Sequence, residues 1–183
     1  MKIKTIVDED FVNYKVPVMY IGTSRCNGKC CREAGIPLSV CQNDGWRANA
    51  TIEMADDDII KRYLDNDITS AICFAGLEPF EQFDEMFEVI RKLRTEYHCD
   101  DAVVIYTGFN QNEILSQIEA LKQFKNIVVK YGRFLIGHEK HFDDVLGVYL
   151  ASDNQYAEII SYEVVVYQNI TTSQVRALEH LSP

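Results

Sequence analysis

Short β-branched runs that alternate with stretches of helical period constrain this chain more than any other feature. Residues 18–21, 71–75, 102–106 and 126–130 read as four strands, and 145–150 as a weaker fifth. Between them, 56–65 places Ile59, Ile60, Tyr63 and Leu64 on one face, and 80–97 repeats Phe83, Met86, Phe87, Ile90 and Leu93 at intervals of three and four. A third helix over 112–124 buries Ile114, Leu115, Ile118 and Leu121, with Asn110 or Asn112 as its cap. Strict β and α alternation predicts an α/β fold with a parallel sheet and helical crossovers. At 183 residues the chain suits one domain.

The charge balance excludes several functions. A net charge of −10 and a pI near 4.8 argue against a nucleic-acid partner, which needs clustered Lys and Arg to displace phosphate counterions. Acids enter by Asp8, before a signal peptide's apolar core could form, and no run is long enough to span a bilayer. The expected setting is therefore cytoplasmic, without a membrane partner. In such a reducing compartment, clustered cysteines serve as metal ligands or reactive thiols more often than as bridges.

Four of the six cysteines do cluster: Cys26, Cys30, Cys31 and Cys41 follow the first strand closely. Cys26 and Cys30 form a C-x3-C pair and Cys41 supplies a third thiolate, one fewer than a closed four-cysteine site requires. Three ligands on a four-iron cube leave one iron open to a small molecule. Cys30 and Cys31 are adjacent, so their side chains should diverge and only one should hold a metal; spacing favours Cys30, with Cys31 the alternative. A structural zinc site built on the same cysteines is the competing reading. Cys73, inside a strand, reads as core, and Cys99 as an incidental thiol.

Other strand ends carry further motifs. Ala75-Gly76-Leu77-Glu78-Pro79 follows the second strand, where a glycine permits close backbone approach and a carboxylate can accept from a ligand's ammonium. Taken alone, Glu78 would be an ordinary first-turn helix acid. Tyr106-Thr107-Gly108-Phe109 follows the third strand and Tyr131-Gly132-Arg133-Phe134 the fourth; Ala151-Ser152-Asp153-Asn154-Gln155 comes later.

With the cysteines, these elements resemble the radical S-adenosylmethionine superfamily, and most of all the small activating enzymes of anaerobic ribonucleotide reductase. The superfamily pattern C-x3-C-x2-C is matched at Cys26 and Cys30, and Val40-Cys41 looks like its end, displaced by eight inserted residues, 31–38. Gly76 and Glu78 are similar to the family's Gly-Gly-Glu-Pro element, with Leu77 at its second glycine, and Tyr131 stands where the activases have an acid. The likeness spans roughly residues 5–160 and implies a partial (β/α)6-type barrel open on one side, with 161–183 as a C-terminal addition.

It further implies a radical S-adenosylmethionine oxidoreductase with a 4Fe-4S cluster on Cys26, Cys30 and Cys41. Val40 would lie near the adenine, and Gly76, Glu78, Thr107, Asn154 and Gln155 would position the S-adenosylmethionine. The implied partners are a flavodoxin- or ferredoxin-type electron donor and the reductase large subunit, on which a glycyl radical would be installed. A different protein, peptide or small-molecule substrate is the alternative, and a zinc-stabilised interaction module is the reading of another class.

Three remaining features read plainly. Asp56, Asp57 and Asp58 are dipole-complementing acids of a helix first turn rather than a metal site, and 137–144, despite two histidines and three acids, reads as a solvated loop. Beyond 158, a strand over 163–167 and a short helix over 172–180 are expected.

Overall fold

The computed structural model describes residues 1–41 and 43–161; the strand and helix expected beyond 161 lie outside the described residues. Among the described residues nine strands occur, β1 (Lys2–Asp10), β2 (Val18–Thr23), β3 (Ile52–Glu53), β4 (Ala71–Gly76), β5 (Ala102–Tyr106), β6 (Ile127–Tyr131), β7 (His141–Asp143), β8 (Val148–Leu150) and β9 (Tyr156–Ile159). Five helices accompany them: α1 (Lys29–Glu33), α2 (Asp44–Ala48), α3 (Asp56–Leu64), α4 (Phe83–Thr95) and α5 (Leu115–Leu121). Among the described residues no helix is long and apolar enough to cross a membrane.

Seven strands form one sheet in the order β3-β1-β2-β4-β5-β6-β9. The four centred on β4 and β5 are parallel, in the register Val18 to Ala71 to Ala102 and Val103 to Ile127. Both margins are antiparallel: β1 pairs with β2, β3 with β1, and β9 with β6. Among the described residues four strands run parallel, and β1 and β3 were not anticipated at all. β1 carries Lys2, Lys4, Asp8, Glu9 and Asp10 and buries only Ile3, so its apolar pattern is too faint to read as a strand.

Side-chain alternation splits the core into two layers. Ile72 and Phe74 of β4, Val103 and Ile105 of β5, and Ile127 and Val129 of β6 face Ile59, Ile60, Met86, Ile90, Ile118 and Leu121 of the helices. Each such aliphatic side chain, fully buried, contributes about 1.5–3 kcal/mol. The intervening residues Ala71, Cys73, Ala75, Val104 and Val128 face the other way, against Tyr14, Leu146 and Leu150. All three long helices therefore cover one face. Small residues on the opposite face leave room there, at the end where the parallel strands terminate.

Several local expectations change. Leu64 and Leu115 are exposed, at 42% and 60%, because their helices turn these positions past the apolar stripe. The expected fifth strand shrinks to Val148–Leu150, which pairs antiparallel with β7 in a separate hairpin, so part of the 137–144 segment is strand rather than loop. A 3₁₀ turn, Pro79–Gln82, precedes α4, and another, Gln111–Glu113, precedes α5 with Asn110 at its N-cap position. Asp57 is committed to Lys92 at 2.9 Å, in keeping with a structural role for that acidic turn.

Candidate functional site

Where β2 ends, the chain enters the cysteine segment. Gly28 adopts φ +73° at the N-terminus of α1, which carries Cys30 and Cys31, and the 3₁₀ turn Leu38–Val40 then delivers Cys41 ahead of α2. All four of these thiols line one cavity of about 310 Å³, with Gly76, Leu77 and Glu78 from the end of β4, Thr107 and Gly108 from β5, Lys130 and Gly132 from β6, and Gln155. Strand-end placement was expected. The joint presence of Cys30 and Cys31 was not: adjacent side chains diverge, yet both reach this cavity, because α1 lies along its wall.

The sulfurs have distinct surroundings. Cys26 Sγ accepts from the Gly28 amide at 3.3 Å and from Arg47 Nη2 at 3.2 Å, while Arg47 Nη1 donates to the Cys26 carbonyl at 2.9 Å. Cys31 is buried; burial, with the neighbouring Cys41, raises its thiol pKa, and Arg47 opposes that. Cys30 lies towards Glu78 and Gly108, and burial, aided by the Glu78 charge, pushes its thiol up to about 11. Among the described residues no three His, Cys, Asp or Glu side chains stand close enough to hold a single metal ion, so the thiols share a cavity without sharing a point. The donor set nevertheless fits an iron-sulfur cluster: soft thiolates, a guanidinium and a backbone N–H aimed at sulfur, and a chamber large enough to hold them.

Glu78 is the node of the opposite wall. Its Oε1 accepts from Thr107 Oγ1 at 2.7 Å and the Phe80 amide at 3.2 Å, and its Oε2 from the Gly108 amide at 2.9 Å. The carboxylate thus locks the loop after β4 to the loop after β5 and leaves one lone pair of Oε2 uncommitted. Burial pushes it up to about 7 from an ordinary 4.5, against the pull of those three donors. Because the folded value lies above the unfolded one, this stabilising contribution is complete below about pH 4.5 and is lost as pH rises through about 7. Urea unfolding of the reduced, cluster-free chain should therefore lose on the order of 3 kcal/mol more between pH 4.5 and 7.5 than Glu78→Gln does. Parallel pH dependences would show that Glu78 is not the titrating group.

Gly76 has a packing part beside the one its motif suggested. Its φ is +87°, and a Cβ there would stand 2.8 Å from Gly22 Cα and 3.1 Å from the Thr23 amide, so the position serves the packing of β4 on β2 as well as lining the cavity. Gln155 also does structural work: Oε1 accepts from the amides of Ala151 and Ser152 at 3.1 and 3.2 Å, and Nε2 donates to the Gly132 carbonyl at 3.2 Å. Two candidates stay out of the cavity wall. Val40 is 37% exposed on its 3₁₀ turn, and Asn154 donates to the Arg133 carbonyl at 2.8 Å.

Sequence reasoning gave no site role to Arg47, Arg133, Lys29 or Lys130. Arg47 offered no signal, since nothing in Gly45-Trp46-Arg47 points back to Cys26. Arg133 binds Glu113 at 2.6 and 2.8 Å and Glu33 at 2.6 Å, and Lys29 reaches Glu113 at 2.5 Å, so an ion network fastens α1 to the loops after β5 and β6. Lys130 could have been noticed, as a lysine that directly follows the apolar run Ile127-Val128-Val129 in a buried strand.

An α/β chain that gathers four cysteine thiols where its parallel strands end has the site of an iron-sulfur protein. The chain belongs to the 4Fe-4S single cluster domain family, whose model matches residues 23–156 and so takes in every cavity cysteine, Glu78, Thr107 and Gln155. A 4Fe-4S cluster accordingly displaces the structural zinc reading. No curated protein and no solved structure matches the chain.

Proposed function

We propose that this protein is a radical S-adenosylmethionine enzyme, and that the sheet with its one-sided helix layer is the wall of a partial (β/α)6-type barrel. The observation that carries the reading is the Glu78–Thr107–Gly108 node facing the cysteine segment across one cavity. Cys26, Cys41 and one of the Cys30 and Cys31 pair would hold the cluster. When bound, the cluster supplies an open iron for the amino and carboxylate groups of S-adenosylmethionine and the single electron that splits it into methionine and a 5′-deoxyadenosyl radical.

The chain's own part is binding and orientation. The free lone pair of Glu78 Oε2 accepts from an N–H of the ligand's amino group, and Thr107 and the Gly108 amide keep the carboxylate from turning away. Arg47 and Gly28 donate to Cys26 and so hold its sulfur in place. A glycine of an anaerobic ribonucleotide reductase large subunit is the target, with a flavodoxin- or ferredoxin-type protein as electron donor, in the cytoplasm.

Anaerobic reconstitution with iron and sulfide, reduction, and chromatography of the products test this. The expected result is 5′-deoxyadenosine formed from S-adenosylmethionine. A fully loaded, reduced cluster that yields none would leave an electron carrier and end the reading.

A further inference from the structure

The helix that carries both adjacent cysteines has little of its own to hold it. α1 is five residues long, far below the length at which a helix is stable alone, and of its residues only Cys31 is buried. Its charges also run in the wrong order for a helix: Lys29 opens it and Glu33 ends it, so each meets the like-signed end of the dipole. Such charges stabilise α1 only through partners outside it. Lys29 Nζ lies 2.5 Å from Glu113 Oε1 and 3.7 Å from Glu33 Oε1, and Arg133 Nη2 lies 2.6 Å from Glu33 Oε2. Glu113 closes the circuit by accepting from Nη1 and Nη2 of Arg133 at 2.6 and 2.8 Å. Each of the four groups therefore meets two of opposite sign, and the circuit joins α1 to the loops after β5 and β6.

The two anchors outside α1 are themselves fixed. The Asn110 amide donates to Glu113 Oε2 at 2.8 Å in the capping box ahead of α5, and the Arg133 carbonyl accepts from Asn154 Nδ2 at 2.8 Å. Arg133 is buried, stays out of the cavity wall, and stands near enough to Cys30 for its charge to act on that thiol. A buried guanidinium forked between two carboxylates is a stronger tie than an exposed ion pair. We propose that Arg133, acting through Glu113 and Glu33, is a positioning residue of the iron-sulfur cluster: it pins α1 to the strand-end loops so that Cys30 and Cys31 face the cavity before iron arrives and are held there afterwards. The inference rests on the cluster assignment and not on the S-adenosylmethionine reading.

Two measurements on wild type, Arg133→Gln and Arg133→Lys test this. The first is amide hydrogen exchange in the cluster-free protein at residues 32, 34, 35 and 36, whose amides bond within and just after α1, with α4 as the internal standard. The second is the decay of the cluster's visible absorbance when the loaded protein meets a ferrous chelator without oxygen. Arg133→Gln should speed both exchange at 32–36 and iron release about 10- to 100-fold, with α4 within about 2-fold of wild type. Arg133→Lys keeps the charge but loses the fork, so it should fall between the two. If Arg133→Gln does not fold, the exposed Glu33 carries the test: Glu33→Gln should speed release about 5-fold and Glu33→Lys more, both differences narrowing in high salt. Unchanged exchange at α1, or equal acceleration in α4, overturns the role of Arg133. A wild type that takes up no iron overturns the cluster assignment with it.

Discussion

Cys41→Ala should strip the protein of its cluster: reconstituted wild type should hold about four irons per chain, and the variant less than about one. The physical reason is ligand count. A cube held by three thiolates cannot spare one, and Cys41 is the thiol that the 3₁₀ turn Leu38–Val40 carries back to Cys31 and the cavity. Cys26→Ala should do the same, and it also removes the sulfur that accepts from Arg47. Cys73→Ala is the control, because Cys73 is wholly buried on β4 among Ala71, Ala75 and Val104 and should keep its iron. Iron analysis and the visible absorbance of the cluster read all four proteins. Running Cys30→Ala and Cys31→Ala alongside assigns the remaining ligand, since only the dispensable one retains a full complement. A loaded Cys41→Ala protein would reject the ligand set.

Gly76→Ala should cost on the order of 3 kcal/mol or more, lowering the melting temperature by about 10 °C. Two penalties add there. The backbone sits at φ +87°, where an L side chain is strained, and the new Cβ meets main chain at 2.8 Å and 3.1 Å instead of a side chain that could swing aside. Gly35→Ala separates the two. Gly35 has φ +64° but nothing within 4 Å of the added carbon, so only the conformational penalty of about 1 kcal/mol remains. Equal melting temperatures for the two variants would show that close packing of Gly76 on β2 does not matter.

Much of this architecture was legible in advance because period and propensity act locally. The four parallel strands and α3, α4 and α5 lie within a few residues of where spacing put them, since strands buried on both faces read as continuous apolar runs. The marginal strands escaped notice for the converse reason. β1 is mostly charged, β3 is two exposed residues long, and both form because a neighbouring edge offers hydrogen-bond partners, which no local pattern encodes. The hairpin of β7 and β8 likewise depends on pairing between segments.

The candidate site divides along the same line. Residue chemistry at strand ends marked Cys26, Cys30, Cys31, Cys41, Gly76 and Glu78, the family resemblance added Thr107 and Gln155, and all of them do line one cavity. Thiol ligation and carboxylate acceptance are properties of the side chain itself, so the amino-acid order was enough to nominate them. Long-range contacts settled the rest. Val40 and Asn154 neighbour the right residues in sequence but not the cavity, whereas Arg47, 21 positions from Cys26, donates to its sulfur. The carboxylate of Glu78 became a clamp only when folding brought Thr107 and Gly108 to it from a different strand. Lys130 reaches the cavity in the same way: a charged residue is costly inside a sheet, and its burial beside the cavity depends on strand order.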